Sequence, residues 1–287
     1  MSDIPPDISF DILSDVPLGV SPPSNLTHSS CEILEQCPIH FFMQFRLRLP
    51  QEIPKIDYGL VGSIVHRIIK KFFENLRGVD LRKIVDPRSF FREALRKSKG
   101  RIKSQQILID VSTCLENFLD FMVDRYIVLA MQGRLDAFMP IDTEVEYKTE
   151  INGVPFEGRV DAIFRDETTI IADWKTSKSA DITEYQLKQG ARYLLLCNLA
   201  GHIKENDFYI FNLRYPIDLS SSRITIEDAR IDAERQNIPK LWDIGCGTYF
   251  EKRPSYDNCI FCNYKKQCMM FPSSVDLKRD WVLDLNW

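Results

Sequence analysis

The chain has 287 residues, 44% of them hydrophobic and 27% charged, with a formal net charge of −4, the composition of an ordinary globular protein. No apolar run approaches the roughly 18 residues that a membrane span needs, and no basic segment followed by an apolar core marks a signal peptide, so an intracellular, cytoplasmic protein in a reducing compartment is expected. The charge is unevenly placed: residues 46–103 hold 16 Lys and Arg against six Asp and Glu, which suggests a face for a polyanion, with a solvated helical surface as the plainer reading.

In chain order, residues 1–25, with Pro5, Pro6, Pro17, Pro22 and Pro23, read as a flexible N-terminal tail in which Phe10, Ile12 and Leu13 offer docking groups. From Thr27 a short helix, capped by Ser29 or Ser30, stops near Cys37-Pro38. A second helical stretch carries Phe41, Phe42 and Phe45 interleaved with Arg46 and Arg48. Val61, Ile64, Val65, Ile68, Ile69, Phe72 and Phe73 recur at helical period across 60–76, with His66 on that helix. Pro87 opens a helix to about 98, and a long one covers 105–132.

The period then switches. Residues 142–150 alternate as a strand, Asn152-Gly153 signals a hairpin turn, and 154–165 and 168–175 read as two more strands joined by Asp166-Glu167. Residues 183–200 return to helix, 207–214 form an apolar strand, and a short strand near 222–226 precedes a helix over 227–244. The last forty residues are rich in cysteine and turns and end in a tail, 273–287, with Trp281 and Trp287. This order predicts an α/β fold with a mixed central sheet flanked by helices, one domain over 26–272 with a helical insertion at about 77–135.

The chemistry concentrates in Asp173-Trp174-Lys175-Thr176, with Asp161 on the preceding strand. Neighbouring carboxylates repel unless a cation lies between them, and oxygen ligands suit Mg²⁺ or Mn²⁺. Lys175 alternates in phase with Asp173, so both point to one face. Taken alone the pair reads equally as a surface salt bridge. His66 follows Gly62 by one helical turn, and a glycine there marks a close approach that would aim the histidine at the metal; a satisfied core histidine is the alternative. Gln189 and Tyr193 share a helix face at i and i+4. Among the eight cysteines, Cys259-x2-Cys262-x5-Cys268 supplies three thiolates, and Cys37 is the best fourth; zinc and an iron–sulfur cluster both accept such a set. Cys114 and Cys197 fall in apolar patterns and read as buried.

Together these motifs resemble the PD-(D/E)XK nuclease superfamily in its RecB-like iron–sulfur branch, which includes the AddB nuclease domain, exonuclease V and the CRISPR-associated adaptation exonucleases. The match runs in order through Ser29-Ser30 to Cys37-Pro38-x2-Phe41, Gly62-x3-His66, Gly158-Arg159-Val160-Asp161, Asp173-Trp174-Lys175-Thr176-Ser177, Gln189-x3-Tyr193 and the terminal cysteines. The resemblance implies a restriction-endonuclease-like sheet, with metal held by His66, Asp161, Asp173 and the Trp174 carbonyl. It implies catalytic Lys175, assisted by Asp161, Asp173, Gln189 and Tyr193, with help from Glu144 or Glu146 left open. Cys37, Cys259, Cys262 and Cys268 would hold a [4Fe–4S] cluster that staples the N-terminal helix to the C-terminal region. Trp174 stands where the family often has tyrosine.

The implied activity is a Mg²⁺- or Mn²⁺-dependent deoxyribonuclease, an exonuclease acting on single-stranded DNA ends in repair or recombination, with a helicase as one partner. The alternatives are a CRISPR-adaptation nuclease working with an integrase, a non-catalytic DNA-binding scaffold with a structural cluster, and a zinc-binding module. Phe41, Phe42, Phe45, Phe72, Phe73, Phe90 and Phe91 offer rings for base stacking, though their helical spacing places most of them in the core. No GxxxxGK[ST] loop is present, so the chain carries no helicase motor.

Overall fold

The computed structural model describes residues 11–12, 21–52, 59–100, 102–165, 168–201, 207–218, 222–260, 262–276 and 281–282. The readings placed on Phe10, Leu13, Asp166-Glu167 and Trp287 lie outside them, as does most of 1–25. The chain divides into two compact units. One is made of 1–55, 150–156 and 236–287, the other of 56–149 and 157–235.

In the first unit, β1 (Asp11–Ile12) pairs antiparallel with Trp281–Val282. Helix α1 (His28–Gln36) is capped by Thr27, not by Ser29 or Ser30: the Thr27 hydroxyl accepts the Ser30 N–H at 3.1 Å, and Ser30 Oγ accepts the Thr27 N–H at 2.7 Å. Ser30 is thus the reciprocal partner of a capping box. Pro38 opens α2 (Pro38–Phe41), which runs into a π turn over Phe42–Arg46. That turn buries Arg46, whose Nη1 donates to the Gly245 carbonyl at 2.8 Å. The helix Asp228–Cys246, which continues through Pro239, ends in this unit. The C-terminal segment closes back on the N-terminal one through main-chain carbonyls, two of them at the end of α1. Arg253 donates to the Glu35 carbonyl at 3.0 Å, Asn258 to that of Gln36 at 2.9 Å and Gln267 to that of Pro50 at 3.0 Å.

The second unit is built on a five-stranded mixed sheet in the order β2 (Asp142–Ile151), β3 (Val154–Arg165), β4 (Thr169–Lys175), β5 (Asp207–Asn212) and β6 (Arg223–Thr225). β3 and β4 are antiparallel, β4 and β5 parallel, β5 and β6 antiparallel. A parallel pair needs a crossover, and α6 (Glu184–Leu199) supplies it. On the sheet's other side α3 (Leu60–Leu76), α4 (Pro87–Ser98) and α5 (Gln105–Met131) bury their apolar faces together. Phe72 meets Phe73, Phe91 and Phe118 edge-on, and Trp174 stacks on Phe211. Phe41, Phe42, Phe72, Phe73 and Phe91 are therefore core rings, and Phe90 is the large one left exposed.

Two glycines set how closely α6 approaches the sheet. A Cβ on Gly158 would lie 2.8 Å from Leu196 Cδ2, and one on Gly190 would lie 2.8 Å from the Phe208 ring. The leucine tip can yield; the buried ring cannot. Gly190→Val is expected to destabilise the protein by about 1–3 kcal/mol through overpacking, read as a lower thermal midpoint, whereas Gly158→Ala should cost less.

Candidate active site and metal centre

Four elements of the second unit meet around His66. Its Nδ1 lies 3.0 Å from Glu144 Oε1 and 3.2 Å from Asp161 Oδ1, and its Nε2 lies 2.9 Å from the Trp174 carbonyl oxygen. All three neighbours are acceptors, so the ring donates from both nitrogens as an imidazolium. Burial pushes the His66 imidazole down, but the hydrogen bonds and charges of Asp161 and Glu144 outweigh it and raise it to about 10.

The ligand atoms of His66, Glu144 and Asp161 all lie within 4.8 Å of one another. One imidazole nitrogen and two carboxylates form a donor set that fits Mg²⁺ or Mn²⁺, while the Trp174 carbonyl lies on the ring's other nitrogen. The protonated ring stands where positive charge is wanted, and it must release a proton to become a ligand.

Asp161 does two things. Its Oδ1 faces His66, while its Oδ2 accepts the Trp174 N–H at 2.7 Å. The β3–β4 register runs from Arg165↔Thr169 to Ala162↔Ala172, so the carboxylate takes over from the ladder just past its end. The Trp174 indole is buried among Phe118, Phe121 and Phe211, leaving only its main chain to reach the site.

Asp173, expected among the metal ligands, lies against Lys175. Its Oδ2 lies 2.7 Å from Lys175 Nζ, an ion pair without an aligned hydrogen bond on that oxygen. Burial raises the Asp173 carboxyl to about 6, with the Asp161 charge adding to it and Lys175 opposing. Burial pushes the Lys175 amine down, but Asp173 more than compensates, and the net direction is up. Lys175 also donates to Gln189 Oε1 at 2.8 Å, and Gln189 is hydrogen-bonded to Tyr193 one turn along α6. Desolvation raises the Tyr193 phenol, which therefore stays neutral.

Glu144 joins the group and Glu146 does not. Glu144 has φ +51°, the left-handed region that costs a non-glycine residue about 1–2 kcal/mol. This kink breaks the alternation of β2 and re-aims the carboxylate; Glu146 remains about half exposed, 3.5 Å from Lys148. The strain is a bend of the kind found at functional sites. A Cβ on Gly62 would lie 3.3 Å from Thr176 Oγ1, so α3 approaches the end of β4 closely one turn before His66. Beyond Lys175 the chain is clamped: Arg214 Nε donates to the Thr176 carbonyl at 2.7 Å, its guanidinium pairs with Asp110 at 3.2 Å, and Asn212 donates to the Ser179 carbonyl at 2.7 Å. The sequence pattern carries no signal for these clamps, because Asp110 and Arg214 lie far apart in the chain.

Cys37, Cys259, Cys262 and Cys268 fall in the first unit. Burial pushes the Cys262 and Cys268 thiols up, and the charges of Cys37 and Cys259 push both the same way, so the four sulfurs share one neighbourhood. Cys114 and Cys197 are buried.

The profile of the PD-(D/E)XK nuclease superfamily matches residues 25–269. The chain belongs to that superfamily. Within it, Asp173 and Lys175 lie at the end of β4, Asp161 inside the neighbouring β3 and His66 on α3. Among solved structures the chain is similar to a candidate exonuclease from Eubacterium rectale, with 15% identity, 85% of this chain and 88% of that chain covered, and a TM-score of 0.46. It is also similar to the protein SSO0001, with 20% identity, 73% and 96% covered, and a TM-score of 0.31. No match is found among curated proteins. Among the described residues no helix is long and apolar enough to cross a membrane.

Proposed function

We propose that this protein is a divalent-metal-dependent deoxyribonuclease that hydrolyses phosphodiester bonds at the ends of single-stranded DNA. The observation that carries the reading is the group formed by His66, Glu144 and Asp161, with Trp174 on the ring's other nitrogen and Lys175 next to it on the same strand. A Mg²⁺ or Mn²⁺ ion held there would polarise a phosphoryl oxygen and lower the pKa of a water molecule.

The chain's own residues do the rest. Lys175 keeps a charged amine, part open to solvent, where negative charge grows on the phosphoryl oxygens. Asp173 and Gln189 fix two of its directions and leave the third donor for substrate. Tyr193 orients Gln189, and the close seating of α6 on Gly190 keeps both in place.

Lys175→Ala should slow cleavage by about 10²–10³-fold, the usual effect of removing one preorganised charge-stabilising group, with an unchanged circular dichroism spectrum. Digestion of end-labelled single- and double-stranded DNA with Mg²⁺ or Mn²⁺ tests the activity: stepwise shortening that stops with EDTA is expected. Absence of cleavage with both metals, or cleavage indifferent to chelation, would overturn it.

The four cysteines extend the proposal to a [4Fe–4S] cluster held by Cys37, Cys259, Cys262 and Cys268. Two features support the cluster: all four are thiols in one neighbourhood, and the segments that carry them are already hydrogen-bonded together. Iron and sulfide analysis of the anaerobically purified protein decides it; a colourless zinc protein would refute the cluster.

A further inference from the structure

The cations between residues 46 and 103 do not form one surface. On α4, Arg88 pairs with Asp120 at 2.5 Å and Arg92 with Glu116 at 2.9 Å, while Arg96 and Lys97 share Glu93 at 2.6 and 3.8 Å. Glu116 and Asp120 stand one turn apart on α5, so α4 and α5 face each other with matched charge. The polyanion face expected of the whole segment is therefore not available on α4.

Helix α3 differs. Arg67, Lys70 and Lys71 are exposed on one stripe, at i, i+3 and i+4, and Arg77 caps the same helix. None of these four has an ion-pair partner among the described residues. Glu74 is the single acid exposed along the stripe. The row starts next to His66, and Lys70 lies one turn of about 5.4 Å further along His66's own face. Its charge has no ion-pair partner among the described residues, and the row leads away from the His66, Glu144 and Asp161 group. The complement of such a row is a chain of phosphates.

We infer that α3 is the track for the substrate strand, with Arg67, Lys70 and Lys71 contacting phosphates outside the scissile one, while α4 takes no part. The inference rests on the nuclease reading for the identity of the polyanion. It makes binding to single-stranded DNA salt-dependent through this one helix: each phosphate contact contributes about 0.7 to the slope of log affinity against log salt.

The test compares Arg67→Gln/Lys70→Gln/Lys71→Gln with Arg88→Gln/Arg92→Gln/Arg96→Gln, which removes the same charge from α4. Fluorescein-labelled single-stranded DNA is titrated in Ca²⁺ between about 50 and 200 mM salt, with thermal melts as the folding control. The α3 variant is expected to lose about 2 from the slope, three contacts' worth, and at least tenfold in affinity at the upper salt; the α4 variant should keep the wild-type slope. Equal losses in both variants, or an unchanged α3 variant, would overturn the track. If the triple variant misfolds, Lys70→Gln/Lys71→Gln replaces it, with an expected loss of about 1.4. Failure of wild-type protein to cleave DNA in Mn²⁺ would count against the nuclease reading alone, since the binding comparison is read without catalysis.

Discussion

Asp161→Asn is expected to lower metal-dependent DNA hydrolysis by at least about 10³-fold, more than the 10²–10³ lost with a single charge-stabilising group, because it weakens the cation site as well. The substitution is nearly isosteric. Its carbonyl oxygen can still accept the Trp174 N–H that Asp161 Oδ2 now holds at 2.7 Å, so β4 should keep its place. What changes is the oxygen 3.2 Å from His66 Nδ1: it is replaced by an amide that carries no charge and, turned this way, offers hydrogens to both ring and cation. Single-turnover rates at saturating Mn²⁺ separate lost affinity from lost chemistry, and a spectrum and thermal midpoint close to wild type would show that the fold is spared. Activity within tenfold of wild type would remove Asp161 from the site.

The largest effect on stability is expected from Glu234→Ala. Arg192 on α6 is fully buried, and its Nε lies 2.7 Å from Glu234 Oε2, itself almost buried. Deleting one partner of such a pair strands the other charge in a medium that solvates it poorly, at a cost of about 3–5 kcal/mol. Chemical denaturation should show the loss directly. Because α6 also carries Gln189 and Tyr193, activity should fall together with stability. Arg192→Met/Glu234→Leu offers the contrast: replacing both charges with apolar groups is close to neutral in many buried pairs. A double variant as unstable as Glu234→Ala would show that the cost comes from packing rather than from the unpaired charge.

Much of the fold was legible because burial and periodicity agree. The apolar positions from Val61 to Phe73 mark α3 over Leu60–Leu76, and Pro87 marks the start of α4. Alternation and the Asn152-Gly153 turn mark the β2–β3 hairpin, both turn residues having positive φ. The carboxylates and lysine at the strand ends were equally visible, since little else explains them there. The choice between Glu144 and Glu146 was not. In a regular strand both would point to one side; only the left-handed kink at Glu144 separates them, and no residue type announces it. The basic segment misled because counting charges does not reveal partners on another helix, as Glu116 and Asp120 are for α4.

The proposed chemistry requires one cation held by His66, Glu144 and Asp161. Diffraction from crystals grown with Mn²⁺, recorded at the manganese edge, locates that ion directly. The predicted result is a single strong anomalous peak in the second unit, in contact with those three residues. Well-ordered side chains there with no peak, or a peak whose ligands include none of the three, would contradict it.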